Sequence, residues 1–248
     1  MRLGATLARL TPGPPIEIAG WAGRLVDAGF ESLWIHQMIG RGHLVPDPFV
    51  TLAVAATATE GVELGTATAQ IPLHHPAELA HRILSLASVC GDRLTLGVSP
   101  GSTEVDFATL DRDHARRFRT FDENLARLRV LLAHGHDERA DLAPGVTRGP
   151  PLLLGSWGAK VERAAREFDG WLASAYRRAP EEIIAAHERF RAAGGRRAIV
   201  CAVALSGGDD LGRTGELLRR YADAGFDDAV VVIEPGGPEP EQVRALLP

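Results

Sequence analysis

The stretch VELGTATAQIPLHHPAELAHRILSLASVCGDRLTLGVSPGSTEVDF, Val62 to Phe107, decides the fold. Val62 to Ala69 is an apolar run of strand length. A Pro-bounded loop with His74 and His75 follows, then a helix over Ala77 to Val89 and a Gly-Asp-Arg turn at Gly91 to Arg93. A second short strand, Leu94 to Val98, opens directly into the Gly/Ser-rich loop Gly97 to Thr103. A buried strand ending in such a loop is the form a parallel α/β protein gives to a ligand site.

The same strand–loop–helix unit recurs on both sides. Upstream, Met1 to Leu10 reads as a strand broken by TPGPP at Thr11 to Pro15, Ile16 to Ala28 as a helix and Glu31 to His36 as a strand. The Gly/Pro loop Gly40 to Pro48 then leads to a helix over Phe49 to Thr59, opened by Asp47 or Pro48. Downstream, a polar insertion (Ser99 to Asp113) precedes the amphipathic helix Ala115 to Ala133, and His134 to Gly149 is a loop. Strands are expected at Pro150 to Gly155, Asp169 to Ser174, Arg197 to Leu205 and Asp228 to Ile233. Helices are expected at Ala159 to Glu167, Pro180 to Ala193, Leu211 to Ala224 and Pro240 to Leu247. This makes about eight alternating units, the pattern of a (β/α)₈ TIM barrel. A doubly wound open sheet also alternates, but it usually carries a dinucleotide fingerprint after its first strand, where this chain has TPGPP. The expectation is one compact α/β barrel domain over residues 1–248.

Composition narrows the class. With 45% hydrophobic and 24% charged residues the chain has ordinary globular composition, and its net charge of −5 offers no general attraction to nucleic acid or anionic membrane. Cys90 and Cys201 have no CxxC spacing, so they read as small buried hydrophobes rather than a disulfide or a zinc site. The apolar run before Pro12 is too short for a secretion signal, and no window reaches transmembrane length; a cytoplasmic location is the expectation.

In such a barrel the ligand lies at the C-terminal strand ends. Those ends are Gly4 to Thr6, His36 to Met38, Ala67 to Gln70, Ser99 to Thr103, Gly155 to Gly158, Ser174 to Tyr176 and Glu234, mostly small neutral residues. They offer no carboxylate pair, no metal cluster and no GxSxG elbow around Ser99 or Ser156. A site so poor in catalytic groups suits a cofactor that brings its own reactivity. Ser99 to Thr103 and Gly155 to Gly158 can both offer N–H groups and hydroxyls to a phosphate, with Arg117 and Lys160 nearby in sequence; plain helix capping with solvated charges is the other reading. His36 ends a strand on this face and is a proton-donor or ligand-orienting candidate, or a satisfied core histidine. His75 reads as a loop-fixing group, and His43, His114, His134 and His136 as solvated surface. Trp34, Trp157 and Trp171 read as packing between barrel and helices, with Trp157 also placed to face a ligand.

GFESLWIHQ (Gly29 to Gln37), DPFVTLAVAATATEGVELGTATAQIPLHHPAELA (Asp47 to Ala80), GDRLTLGVSPG (Gly91 to Gly101), RFRTFDENLARLRVLL (Arg117 to Leu132) and PPLLLGSWGAKVERAAREFDGWLAS (Pro150 to Ser174) together resemble the luciferase-like flavin oxidoreductases. The resemblance implies a barrel that binds FMN or, in one branch, coenzyme F420. It also implies action on a small organic substrate, a homodimer, and a separate flavin or F420 reductase as partner. Carried over by position, it implies a non-prolyl cis peptide at Ala67 and Thr68 as a bulge behind the flavin ring. Ser99 and Gly101 then lie near the cofactor, Arg117 near its phosphate, and Gly155, Ser156 and Gly158 at the second phosphate loop, with Lys160 a candidate from its nearness in sequence alone. The resemblance assigns no acid; His36 is the candidate acid from its own place at the strand end.

Three departures stand out. Many relatives carry Glu-His or Asp-His where this chain has Gln37-Met38, and the wording WIHQMIG is nearer a subset of presumed F420-dependent relatives. Pro100 stands where luciferases have a phosphate-binding arginine, and Ala133 to Pro150 is short. A non-catalytic flavin-binding or flavin-sequestering protein is the alternative function, and an unrelated phosphate-binding barrel such as an isomerase is a third.

Overall fold

In a computed structural model, which describes residues 1–8, 17–42, 44–143, 145–146 and 148–247, eight parallel strands pair in sequence order and close into a barrel. They are β1 (Arg2–Thr6), β2 (Ser32–Ile35), β3 (Glu63–Gln70), β4 (Leu94–Ser99), β5 (Leu152–Gly155), β6 (Gly170–Ser174), β7 (Arg197–Leu205) and β8 (Asp228–Ile233). β5, β7 and β8 are near-continuous apolar runs because one face meets the barrel interior and the other meets helices. The TPGPP break, the expected end of the first strand at Leu10 and the residue His43 lie outside the described residues.

The helices around the barrel are α1 (Ile18–Asp27), α2 (Pro48–Ala58), α3 (Pro76–Cys90), α4 (Glu104–Thr109), α5 (Arg117–His134), α6 (Lys160–Glu167), α7 (Pro180–Ala192), α8 (Leu211–Asp223) and α9 (Pro240–Arg244). Local signals start and stop them. Asp47 caps α2 by accepting the Phe49 and Val50 amides at 2.9 and 3.1 Å. α5 buries Phe121, Leu125, Leu128 and Leu132, a three-to-four-residue stripe, and stops at Gly135 in the left-handed region. The polar insertion read between Ser99 and Asp113 is corrected in part. It contains α4, whose Asp106 and Phe107 are buried, because Asp106 finds a partner in Arg41, 65 residues away in sequence.

Inside the barrel, Trp34, Leu153, Leu172, Ile199, Cys201 and Val230 form a cluster with Ala67 against it. Trp34 therefore fills the barrel interior rather than packing between barrel and helices. Two glycines make room for it: a Cβ on Gly65 would lie 2.3 Å from Trp34 Cζ3, and one on Gly4 only 2.2 Å from Ser32 Oγ. That hydroxyl accepts the indole N–H at 2.8 Å, so the buried donor is satisfied. Trp171, on the outer face of β6, does pack among the helices, 5.7 Å from the Phe190 ring.

The N-terminal end of the barrel is closed by charge. Arg197 donates to both carboxylate oxygens of Glu63 at 2.8 Å and to fully buried Asp228 at 2.9 Å. Arg2 and Thr95 add donors to Glu63 at 2.8 and 2.6 Å. Burial pushes the Glu63 carboxyl up, but the Arg197 hydrogen bonds and charge outweigh it and hold it below its ordinary value.

Candidate active site

The C-terminal strand ends enclose a cavity of about 500 Å³, within the range of small-molecule sites. Ala67 and Thr68 of β3, Ser99 of β4, Gly155 of β5, Ser174 of β6 and Cys201 and Ala202 of β7 contribute to its wall. Leu172, Cys201 and Ala67 also belong to the Trp34 cluster, so the interior plug adjoins the cavity. Two strands are irregular at this level. The β3–β4 register shifts between Thr66 and Ala69, and the peptide joining Ala67 to Thr68 is cis. The β7–β8 register shifts between Val200 and Val203, where Ala202 takes a φ of 61°. In the ring order β3 and β7 stand opposite one another, so the two bulges lie on opposite sides of the mouth.

Side chains fix this rim. Thr68 Oγ1 donates to Ser99 Oγ at 2.6 Å, tying the β3 bulge to β4. Ser156 Oγ donates to the Lys160 carbonyl at 3.1 Å, and the Ser156 carbonyl accepts the Trp171 indole at 2.9 Å, which sets the turn from β5 into α6. Trp157 lines the cavity and meets Trp171 edge-on at 5.5 Å.

One part of the wall is cationic. Arg117 and Lys160 both lie over the Phe118 ring, at 4.3 and 4.4 Å, and Arg178 lies 4.0 Å from the Trp157 centroid. Among the described residues none of these three cations has an acidic partner, and no carboxylate or histidine lines the cavity. Arg117 donates through one terminal nitrogen to the His114 carbonyl at 3.0 Å, yet its buried Nε has no partner. A buried guanidinium N–H left unpaired costs on the order of 1–3 kcal/mol, a cost an anionic acceptor would remove.

The cofactor candidates Ala67, Thr68, Ser99, Gly101, Arg117, Gly155, Ser156 and Lys160 all line this cavity. Gly158 does not; it holds the following turn at a φ of 64°, its carbonyl accepting the Val161 amide at 3.2 Å. His36 is also outside the wall, immediately after β2. Burial, then the Arg41 guanidinium, lower its pKa against the opposing pull of Asp106, so its neutral imidazole dominates near neutral pH. His74 is half-buried and bonded to Gln37, and His75 stands 3.5 Å from Arg127, so the adjacent pair serves the loops.

Phe118, Leu172, Arg178, Cys201 and Ala202 line the cavity without having been read as site residues. Arg178 could have been found by counting just past the end of β6. The β7 bulge could not, since nothing in RAIVCAVAL marks it. Cys201 is the inert thiol expected, its pKa pushed by burial up to about 12, although it forms part of the wall.

The family model described as luciferase-like monooxygenase matches residues 4–207. A 4-hydroxyprotoasukamycin monooxygenase from Streptomyces nodosus subsp. asukaensis is 33% identical over 179 residues, 66% of this chain and 45% of that protein. The chain spans about half the length of the curated relatives it matches. Among solved structures, an F420-dependent secondary alcohol dehydrogenase holding an F420–acetone adduct superposes with a TM-score of 0.80 at 16% identity, covering 100% of this chain and 98% of that one. The oxygenating constituent of 3,6-diketocamphane monooxygenase from Pseudomonas putida, in complex with FMN, gives 0.68 at 17% identity, over 92% and 80% of the two chains. At these identities the two structures bear on the fold.

Proposed function

Because the chain belongs to the luciferase-like monooxygenase family, we propose that it is an oxidoreductase that binds FMN or coenzyme F420 and acts on a small organic substrate. The observation that carries this reading is the makeup of the cavity: among the described residues, a wall without carboxylate or imidazole, and cations without an acidic partner at one side. Such a wall cannot itself move electrons and has little means of moving protons, so its chemistry must come from a bound group. When bound, a reduced deazaflavin would supply hydride, and a reduced flavin would supply hydride or react with oxygen.

The residues present fit that group. Ala67 and Thr68 form the shelf for its ring, with Ser99 holding Thr68 in place. Arg117 and Lys160 receive its phosphate, the orphaned Arg117 Nε being the clearest vacancy for an anionic oxygen. Ser99, Gly101, Gly155 and Ser156 complete the polar side, and Gly158 shapes the turn behind it. Trp34 and Leu172 keep water from the barrel interior beneath the ring. His36, neutral and beyond the wall, is the candidate for orienting substrate or passing a proton. A separate reductase would deliver the reduced cofactor. A homodimer would cover exposed apolar groups such as Leu44, on the loop before α2, and Val50 of α2.

The phosphate assignment is tested by comparing FMN with riboflavin, and F420 with its phosphate-free deazaflavin core. Removing one charge-assisted contact costs about 1.5–3 kcal/mol, or roughly ten- to a hundredfold in Kd. Lys160→Ala and Arg117→Ala should each weaken the phosphorylated form by that factor and leave the phosphate-free form nearly unchanged. Equal loss for both forms would remove the assignment.

A further inference from the structure

We infer that Gln37 is a positioning residue that braces the β3 bulge from the neighbouring strand and fixes the shelf under the cofactor ring; this rests on Ala67–Thr68 being that shelf. The regular β2–β3 ladder runs from Ser32 opposite Glu63 to Ile35 opposite Thr66 and stops there, whereas β3 continues through its bulge to Gln70. Gln37 spans the gap. Its backbone N–H donates to the Thr68 carbonyl at 3.1 Å, and its side-chain Oε1 accepts the Gln70 N–H at 2.8 Å. Its own carbonyl accepts from Gln70 Nε2 at 3.2 Å. One residue thus holds the C-terminal side of the bulge at Thr68 and Gln70, while the ladder pair Ile35–Thr66 holds its start.

The remaining polar group shows why this residue is glutamine. With Oε1 engaged by Gln70, the amide nitrogen stands 2.9 Å from His74 Nε2 and Oε1 3.2 Å from the same atom, so the amide meets the ring in either tautomer: its nitrogen donates when the ring proton is on Nδ1, the side of Glu78 at 3.9 Å, and its oxygen accepts when the proton is on Nε2. Burial lowers the His74 pKa and favours the neutral ring; the Glu78 and Asp47 carboxylates pull against it, and Arg82 and Arg112 add to it. The position therefore suits an acceptor and a donor on one flexible stem. Methionine supplies neither as an amide does, and glutamate supplies only the acceptor. The brace is anchored further out, because Gln70 Nε2 also donates to buried Asp106 at 2.7 Å, and Arg41 grips that carboxylate at 2.7 and 2.5 Å. Where the resemblance implies an acid–histidine pair in many relatives, this chain uses the position to shape the shelf.

The test compares wild type with Gln37→Met and Gln37→Glu. Amide hydrogen exchange is read on the free proteins, and FMN and F420 titrations give Kd and the visible band of the bound cofactor. In Gln37→Met, the amides of residues 68–70 should exchange at least about tenfold faster than in wild type, with β6 unchanged. Kd should rise about tenfold and the bound band should move. Unchanged exchange overturns the brace. Faster exchange with an unchanged band and Kd also overturns the inference, because the brace would then be structural alone. Should Gln37→Met not fold, Gln37→Glu decides: it keeps the acceptor for Gln70 but not the donor to His74, so the Gln70 amide stays protected while the band is displaced, and a wild-type band overturns the inference. If wild type itself takes up neither cofactor, the functional reading fails first and the inference falls with it. A variant-only failure leaves that reading standing.

Discussion

His36 shows what can and cannot be read from one residue. Its position at a strand end was legible, because β2 is a short apolar run with a clear stop. Its absence from the cavity wall was not, since a strand end gives no sidedness when both faces of the strand are buried. If His36 serves the reaction from beyond the wall, His36→Ala should lower turnover about tenfold or more while leaving cofactor Kd within about twofold. Steady-state kinetics with a turned-over substrate, beside a cofactor titration, checks this. An unchanged rate would return His36 to the role of a core histidine. Ala67, Thr68, Ser99, Arg117 and Lys160 were legible for a different reason: each lies at a strand end or just past the loop that follows, where the fold puts ligands.

At the scale of the element, the chain was read well where periodicity and punctuation agree, as in α5 with its apolar stripe and Gly135 stop. It was read poorly where the stabilising partner is remote. α4 is short and polar, and nothing local makes it a helix worth burying; Arg41, on the loop after β2, does so by gripping Asp106. That carboxylate is fully buried and also accepts from Gln70, so it links α4 to β3. Asp106→Ala strips the partner from Arg41 and leaves the Gln70 amide short of an acceptor. Breaking a buried pair on one side costs about 3–5 kcal/mol, and the partial exposure of Arg41 puts the expectation near the low end. Denaturant unfolding measures the loss, and a change within about 0.5 kcal/mol would mean that the pair contributes little. The β7 bulge was invisible for the opposite reason: it sits in a continuous apolar run, and a one-residue register shift has no composition signature.

For the whole molecule, the barrel separates its charges by end. The N-terminal end holds Glu63 and Asp228 with Arg2 and Arg197 in a closed network; at the C-terminal end Arg41 is paired with Asp106 outside the cavity, whereas Arg117, Lys160 and Arg178 on the cavity wall have no acid beside them among the described residues. Glu63 titrates lower in the folded protein than in the unfolded chain, so on acidification the unfolded chain takes up the proton first. Its contribution is therefore complete above the unfolded carboxylate pKa of about 4.3 and is lost as pH falls through the lower folded value. Unfolding free energy measured from neutral to acid pH should drop in that window. In Glu63→Gln that acid limb should be flatter, although the variant starts less stable near neutral pH because two arginines lose their acceptor. An equally steep limb in the variant would assign the acid loss elsewhere.

The open charge at the other end is the basis of the central claim, that the cavity is the seat of an anionic flavin or deazaflavin. Calorimetric and spectroscopic titration of the purified protein with oxidised and reduced FMN and F420, at low and high salt, addresses it directly. One-to-one uptake of at least one of these cofactors is expected, with affinity falling as salt rises and with Arg117 and Lys160 carrying that dependence. No detectable uptake of any of the four species at either salt concentration would contradict it.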